Sequence, residues 1–386
     1  MNTSRGHQTA AGAGLRAALH SYIHVARRPN VRPYFKMGPT GPAARAARDG
    51  GPWNVPDLCH AYNWPTGLAG GGVIAIVELG GGWVQSDMDQ FFHGINQPVP
   101  NITDVSVDGT QNTPDPGPNS ADGEVALDIE VAAAAYYVAT GKPATIRMYW
   151  AQDIASAVRA ATADGCDVCS ISWGADEANW GPQAGQDMEQ AATDATAAGM
   201  VVFAASGDND SADGGPGRAN VDLPSSAPHV IGCGGTSKTR THETVWNNNP
   251  GNADGEGTGG GFSTIFKPMP PWQAGAPHGP GRMVPDVAAN ADPNTASFCT
   301  VCKRRSAEPA PSLRSMRGCL PRLAPSSASS PRNCGSTICA STTSHKGTTG
   351  PFVRGSAPTH APGSARRSAR SWRIWWPIRQ PAAPAD

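Results

Sequence analysis

Three carboxylates in this chain stand where they could carry acid–base chemistry. Glu124 and Asp128 are four residues apart in an alanine-rich stretch, and Asp208 follows an apolar run. Residues four apart share one face of a helix, so the first two side chains would be neighbours. Two carboxylates held that close repel each other, which raises the pKa of one and suits general acid–base catalysis in acid. A solvated acidic first turn of a helix would show the same spacing.

The surroundings of Glu124 and Asp128 favour a buried helix over a solvated one. Val125, Ala126 and Leu127 lie between them, and residues 132–135 are all alanine. A carboxylate is costly to bury unless it is paired or hydrogen-bonded. The pair therefore needs partners in the fold or a task to perform.

Asp208 allows three interpretations. It ends the string Ser206-Gly-Asp208, which follows the apolar run 200–205 and so lies at the carboxyl end of a predicted strand. Ligands bind at that edge of a parallel sheet, so Asp208 could act in catalysis. It could instead form a turn in an acidic, glycine-rich loop, or bind calcium together with Asp210 and Asp213.

The elements that must position these residues alternate between strand and helix. Strands are predicted at 72–78, 101–107, 145–150, 167–172, 200–205 and 229–233. Helices are predicted at 86–92, 122–137, 154–164 and 184–198. Ser86 is the predicted N-cap of the first of these helices. The alternation predicts an α/β domain with a mostly parallel sheet and helices on both faces.

Charge divides the chain into segments of different character. Residues 1–295 contain 16 Lys and Arg against 29 Asp and Glu, whereas residues 296–386 contain 14 against two. We predict a largely disordered leader at 1–52, a catalytic-type domain at 53–295, and an anomalous tail at 296–386 that is disordered or misfolded. As a genuine extension, a basic tail with Trp372, Trp375 and Trp376 could bind nucleic acid or an anionic surface.

Composition excludes several classes of protein and site. No run of 18 apolar residues occurs, so we expect no membrane span. Residues 1–28 are polar and show no secretory signal, so the localisation is left open. Cys166 and Cys169 form a Cys-x-x-Cys without a second ligand pair, which favours buried small residues over a zinc or redox site.

The predicted domain contains six short motifs, and their order along the chain is more specific than any one of them alone. They are Glu124-x-x-x-Asp128, Ser170-Ile-Ser-Trp-Gly174, Ala205-Ser-Gly-Asp208, Cys233-Gly-Gly-Thr236, Gly259-Gly-Gly-Phe-Ser263 and Pro285-Asp-Val-Ala-x-x-Ala-Asp-Pro-Asn-Thr295. From about Pro56 to Thr295 the chain resembles the sedolisins, the serine-carboxyl peptidases. That resemblance implies a subtilisin-like fold and an endopeptidase that acts on proteins or peptides at acidic pH. Its triad would be Ser-Glu-Asp in place of Ser-His-Asp.

The resemblance also implies roles for the acidic residues. Glu124 would be the general base, and Asp128 would orient it. A protonated Asp208 would donate a hydrogen bond to the oxyanion of the tetrahedral intermediate. Glu78 matches a position that supports the acid network.

The resemblance places substrate binding at Ser172, Trp173 and Gly174. The backbone of these three residues would pair with an extended peptide as an added strand. Trp173 matches a family position that supports the acid network, although taken alone it could equally be a core aromatic. The expected partner is therefore a protein or peptide substrate, with no nucleic acid and no membrane, and the protein is expected to be a monomer.

The nucleophile that the resemblance requires is missing. The family places it in Gly-Gly-Thr-Ser-Ala-x-Ala-Pro, shortly after the Asp-Pro-Asn-Thr element, and no such string occurs here. Ser237 comes too early in the chain and reads as a strand end. Ser263 follows three glycines, but its family counterpart is structural.

A change of reading frame would explain both the missing serine and the basic tail. Read two bases out of frame, residues 306–320 permit a string that begins Gly-Gly-Thr-Ser-Ala-Val-Ala-Pro. In the same frame, residues 336–350 permit a string that resembles the family's calcium-binding segment, so calcium is the expected cofactor but its segment is missing. We therefore expect a sedolisin-type peptidase that is inactive as written. The alternatives are a peptide-binding pseudoenzyme and a non-functional product of a frameshifted gene.

Overall fold

A mostly parallel sheet forms the centre of the protein. The structure, a computed structural model, describes residues 31–34, 52–115, 121–252, 255–277 and 279–295. The predictions for residues 296–386, and for most of the leader at 1–52, lie outside these ranges. No helix within the described ranges is both long and apolar enough to span a lipid bilayer.

The elements are numbered here in chain order. The strands are β1 (Arg32–Pro33), β2 (Val73–Glu78), β3 (Asn101–Ser106), β4 (Thr145–Trp150), β5 (Val168–Ile171), β6 (Trp173–Asp176), β7 (Val201–Ala205), β8 (Asp222–Leu223), β9 (Val230–Lys238), β10 (Glu243–Val245), β11 (Gly261–Phe262), β12 (Met283–Val284) and β13 (Val287–Asn290). The helices are α1 (Val55–Ala61), α2 (Gln85–Gly94), α3 (Asp122–Thr140), α4 (Ile154–Ala163) and α5 (Glu177–Ala198). Single 3₁₀ turns lie at Asp210–Ala212 and Pro271–Gln273.

The strand order of the main sheet is β10-β9-β7-β5-β2-β4-β3, with β13 also paired to β9. Its pairs are parallel except for the β9–β10 hairpin. Two smaller assemblies join β1, β6 and β8, and β11 with β12. Because parallel strands end at one edge, the residues that follow β2, β5 and β7 gather there.

Helices cover both faces of the sheet, which confirms the predicted α/β architecture. Ile74 and Ile76 of β2 pack with α2 and α3, whereas Ala75 and Val77 pack with α4 and α5. Successive side chains of a strand point to opposite faces, so a strand buried on both sides is apolar throughout. This is why the run at 72–78 lacks polar alternation.

Most predicted elements agree with the structure, and the differences have physical causes. Helix α2 begins at Gln85 after Val84, which provides no side-chain cap, so the prediction of Ser86 as N-cap is wrong. Strand β9 runs past Cys233 to Lys238, because β13 and β10 pair with its second half.

Candidate active site

Helix α3 presents its first turns to the edge where the strands end. Asp122 accepts hydrogen bonds from the backbone N–H groups of Gly82 (2.9 Å) and Asp115 (2.9 Å), which hold the helix start against the loop after β2. Glu124 and Asp128, one turn apart, are both buried. The prediction of a buried helix is therefore confirmed.

Asp128 belongs to a chain of buried polar contacts that we call the acid network, made of Glu78, Asp128, Ser172 and Trp173. The Ser172 hydroxyl donates to Asp128 Oδ1 at 2.9 Å. The indole N–H of Trp173 donates to Glu78 Oε2 at 2.7 Å. Ser172 and Trp173 are sequence neighbours, so two adjacent residues join a carboxylate from α3 to one from β2.

Burial raises the pKa of both acids in this network. The pKa of Asp128 rises to about 7 through loss of solvation, which the hydrogen bond from Ser172 partly offsets. The pKa of Glu78 rises well above its usual range through burial and then through the charge of Asp128. Glu78 Oε1 and Asp128 Oδ2 accept no hydrogen bond from the part of the chain that the structure describes. The network therefore holds protons in acid rather than two negative charges.

Asp208 lies on a tight loop directly after β7. The Ser206 N–H donates to the Cys233 carbonyl (2.8 Å), and the Gly259 N–H donates to the Gly207 carbonyl (2.8 Å). A Cβ atom at Gly259 would lie 1.9 Å from the Ser206 carbonyl oxygen, so only glycine lets the two backbones come this close. The Asp208 side chain is buried in this loop.

The calcium interpretation of the Asp208 loop is not supported. Among the residues that the structure describes, no three or more His, Cys, Asp or Glu side chains are grouped as metal ligands would be. Asp213 instead accepts a hydrogen bond from Arg32 Nη2 at 2.6 Å. The string at 336–350 that resembles the family's calcium segment lies outside the described ranges.

The predicted substrate strand is paired along both edges. Ser172 leads into β6, which pairs antiparallel with β8 on one side. On the other side, Arg32 pairs with Gly174 and Pro33 with Trp173. The edge expected to bind a peptide therefore already holds an extended segment of the same chain. The sequence pattern at 1–52 carried no signal for this placement.

Ser237 and Ser263, which the sequence analysis does not assign as the nucleophile, both make structural hydrogen bonds. The Ser237 hydroxyl donates to Asp292 Oδ2 at 2.6 Å. The Ser263 hydroxyl donates to Glu177 and accepts from the Phe266 N–H at 2.7 Å. Each hydroxyl therefore stabilises a turn or the start of a helix, which agrees with the interpretation of Ser237 as a strand end and Ser263 as structural.

Other predicted site features have simple outcomes. Cys166 and Cys169 are buried free thiols, in agreement with the prediction of buried small residues. Trp173 packs in the core as well as donating to Glu78, so both interpretations of that side chain hold. Thr295 is the last residue described, and its carbonyl accepts the Trp53 N–H at 2.8 Å.

Comparison with known proteins decides the family. The profile described as "Subtilase family" matches residues 137–382, more than half of the chain. The chain belongs to the subtilase family. Kumamolisin from Bacillus sp. (strain MN-32) is 39% identical over 309 residues, which cover 73% of this chain and 54% of kumamolisin. Sedolisin from Pseudomonas sp. (strain 101) is 36% identical over 87 residues, which cover 20% of this chain and 15% of that protein.

The same relationship appears in the fold of this subtilase. A solved structure of Pseudomonas sedolisin, a serine-carboxyl proteinase complexed with two molecules of pseudo-iodotyrostatin, matches with a TM-score of 0.56 and 22% identity. The match covers 65% of this chain and 77% of that structure. Together these findings confirm the sedolisin-type sequence and the subtilisin-like fold. The chain spans about half the length of kumamolisin.

Proposed function

We propose that this subtilase descends from an acid-acting, sedolisin-type endopeptidase of proteins or peptides, and that the chain as written is inactive. The observation that supports the chemistry is the acid network, which joins Asp128 through Ser172 and Trp173 to Glu78. A site that keeps buried carboxyl groups protonated is matched to general acid–base catalysis in acid, where imidazole would be charged. The missing serine segment supports the loss of activity.

In the intact enzyme, each acid would have a separate task. Glu124 would take the proton from the serine hydroxyl as it attacks the peptide carbonyl, and would return it to the leaving amine. Asp128, fixed by Ser172, would hold Glu124 in place. Asp208, protonated in acid, would donate a hydrogen bond to the developing oxyanion.

Calcium has no part in these steps. The sedolisin resemblance implies it, but the string that resembles its binding segment falls at 336–350 in the alternative frame. Within the described ranges, no three or more His, Cys, Asp or Glu side chains are grouped so that they could hold it. Its role in the intact enzyme would be to stabilise the fold around the site.

The proposal is tested by DNA sequencing across codons 285–320, followed by assays of two proteins. One is the chain as written, and the other carries the one-base change that restores Gly-Gly-Thr-Ser-Ala-Val-Ala-Pro. At pH 4, we expect the restored protein to hydrolyse a fluorogenic peptide and the chain as written to show only background. Serine-dependent hydrolysis by the chain as written would overturn the proposed inactivity.

The role of Glu124 is tested in the restored protein. Glu124→Gln should lower kcat/KM by roughly a thousandfold, because the serine loses its proton acceptor. Glu130→Gln is a matched control, since Glu130 is also a buried glutamate of α3. We expect that control to keep most of its activity once folding is verified by circular dichroism. Equal losses in both variants would assign Glu124 a structural role only.

A peptide-binding pseudoenzyme is the second candidate, and the pairing of β6 with an extended segment favours it. It predicts that the chain as written is folded and binds peptides without cleaving them. A non-functional frameshift product predicts aggregation instead. Thermal melting with and without a peptide inhibitor separates these outcomes.

A further inference from the structure

A single exposed carboxylate on β3 holds two tryptophan side chains from neighbouring elements. The indole N–H of Trp150 donates to Asp104 Oδ1 at 2.8 Å, and the indole N–H of Trp83 donates to the same oxygen at 3.1 Å. Asp104 is exposed, Trp83 is half-buried and Trp150 is fully buried. We call these three residues the indole clamp.

The clamp serves the tryptophans more than the carboxylate. Residues 49–141 contain no Lys or Arg, so the surrounding chain supplies no cation that would compete for Asp104. An exposed carboxylate can be solvated by water, whereas the buried indole N–H of Trp150 needs an acceptor within the protein. Because the acceptor is charged, these hydrogen bonds are stronger than neutral ones. Asp104 therefore fixes where the two indoles lie.

Trp150 connects the clamp to the acid network. It is the last residue of β4 and lies in register with Glu78 at the end of β2. The N–H of Ala151, the next residue, donates to the Glu78 carbonyl at 3.0 Å. The Trp150 side chain packs in the core beneath α2 and α3. Since the ends of β4 and β2 are paired, the placement of the Trp150 indole bears directly on the backbone that carries Glu78.

Trp83 connects the clamp to the start of α3. It lies in the loop after β2, where Asn112 accepts its backbone N–H at 2.9 Å and donates to its carbonyl at 3.2 Å. The N–H of Gly82 donates to Asp122, which precedes Glu124 by two residues. A Cβ atom at Gly82 would lie 2.4 Å from Asn112 Oδ1, so only glycine permits this close contact between the two loops.

We propose that Asp104 is a positioning residue of the acid network. By holding the indoles of Trp83 and Trp150, it sets the placement of Glu78 and of the start of α3. The inference rests on the proposed function, in which the acids of β2 and α3 serve the reaction. Asp104 acts through the two tryptophans and not on the reacting atoms.

A second role for Asp104 makes a different prediction. Strand β3 ends the strand order of the main sheet, and a charge on an edge strand prevents pairing with another chain. That role needs the charge alone, whereas the clamp needs an acceptor oxygen. Asp104→Asn removes the charge and keeps an acceptor, and Asp104→Ala removes both, so the two variants separate the roles.

The first test follows indole N–H cross-peaks in proton–nitrogen correlation spectra. The full chain and the frame-restored protein are both labelled with isotope-enriched tryptophan, and each peak is assigned by replacing its tryptophan with phenylalanine. The indole of Trp173 donates to Glu78 and so reports on the acid network. Asp104→Ala should shift the peaks of Trp83, Trp150 and Trp173. Asp104→Asn should leave the Trp173 peak close to its original position.

The second test measures kinetics in the frame-restored protein. Asp104→Ala should lower kcat by roughly tenfold and change KM by less than about twofold, because misplaced acids weaken transition-state stabilisation more than substrate binding. Asp104→Asn should restore most of that kcat. Asp187→Ala is the control, since it removes an exposed carboxylate of α5 that pairs with Arg159. It should change neither kcat nor the three indole peaks.

The outcomes distinguish this inference from the proposed function. An unmoved Trp173 peak in Asp104→Ala would overturn the inference, because the clamp would then end at its two indoles. Equal effects of Asp104→Ala and Asp104→Asn would assign them to charge and would also overturn it. If Asp104→Ala does not fold, Trp83→Phe takes its place and should likewise shift the Trp173 peak. A frame-restored protein that hydrolyses no peptide would sink the proposed function, while the Trp173 peak would still decide whether Asp104 positions the acid network.

Discussion

The acid network and a second cluster beside β6, made of Arg32, Tyr34, Asp213 and Asp222 and called here the groove cluster, satisfy buried carboxyl groups with different donors. In the acid network, Asp128 receives one hydroxyl and Glu78 one indole N–H, and neither receives a cation from the described residues. In the groove cluster, Asp213 receives a guanidinium and Asp222 a phenol. Burial raises the pKa of Asp128 and the pKa of Asp213 alike, each to about 7, and the charge of Arg32 opposes that rise only at Asp213. Burial alone therefore does not say what a carboxyl group is for, and its donors do.

The largest loss of unfolding free energy should come from substitution of Trp173, which belongs both to the acid network and to the core. Trp173→Ala removes a buried aromatic and the donor to Glu78, so unfolding free energy should fall by about 3–5 kcal/mol. Trp173→Phe keeps most of the packing and removes the N–H, which should cost about 1–3 kcal/mol. Urea titration followed by circular dichroism measures both. Equal losses would mean that the hydrogen bond to Glu78 contributes nothing separate from packing.

The second effect tests whether the acid network stores protons. The pKa of Asp128 is about 7 in the folded chain against an ordinary value of 3.8, so the folded state binds more protons between these limits. Stability from this group is then complete below pH 4 and is lost as pH rises through 7, by about 2–4 kcal/mol. The melting temperature should fall between pH 4 and pH 8. Asp128→Asn should flatten that slope, and a maximum near pH 8 would contradict the assignment.

The smallest expected losses of stability come from breaking two arginine–aspartate pairs, one with a buried aspartate and one exposed. Arg32→Ala leaves Asp213 buried without its cation, and should cost about 2 kcal/mol after allowance for the partly exposed arginine. Arg159→Ala breaks an exposed pair with Asp187 at 2.5 Å, and should cost under about 0.5 kcal/mol. Paired thermal melts at pH 7 give the difference. Similar losses would mean that the burial of Asp213 does not set the strength of its pair.

Local pattern was enough to predict most of the sheet and the elements that carry the candidate residues. Strand β2 is buried on both faces and appears in the sequence as an apolar run of strand length. Helix α3 follows from its alanines and from the apolar residues around Glu124 and Asp128. Ordered motifs then placed Asp208 after β7 and Ser172 after β5.

The elements and contacts that the sequence could not predict depend on pairing between residues that are far apart in the chain. Strand β6 has no apolar period of its own, and it is a strand because β8 and β1 pair with it. Arg32 and Tyr34 stand in a stretch with no period, and their partners lie more than 180 residues along the chain. For Asp213 the sequence indicates only a possible calcium ligand, because nothing near it in the chain reveals its contact with the Arg32 guanidinium.

The hydrogen bond from the Trp53 backbone N–H to the Thr295 carbonyl joins the first and last parts of the stretch 53–295. The indole N–H of Trp53 also donates to the Lys238 carbonyl at 2.9 Å, and Arg240 stacks 3.7 Å over its ring. The start of the domain is therefore fastened beside its last described turn. In mechanical terms, a pull on residue 53 is transmitted directly to the turn at Asp292–Thr295, the stretch from which a restored nucleophile segment would depart.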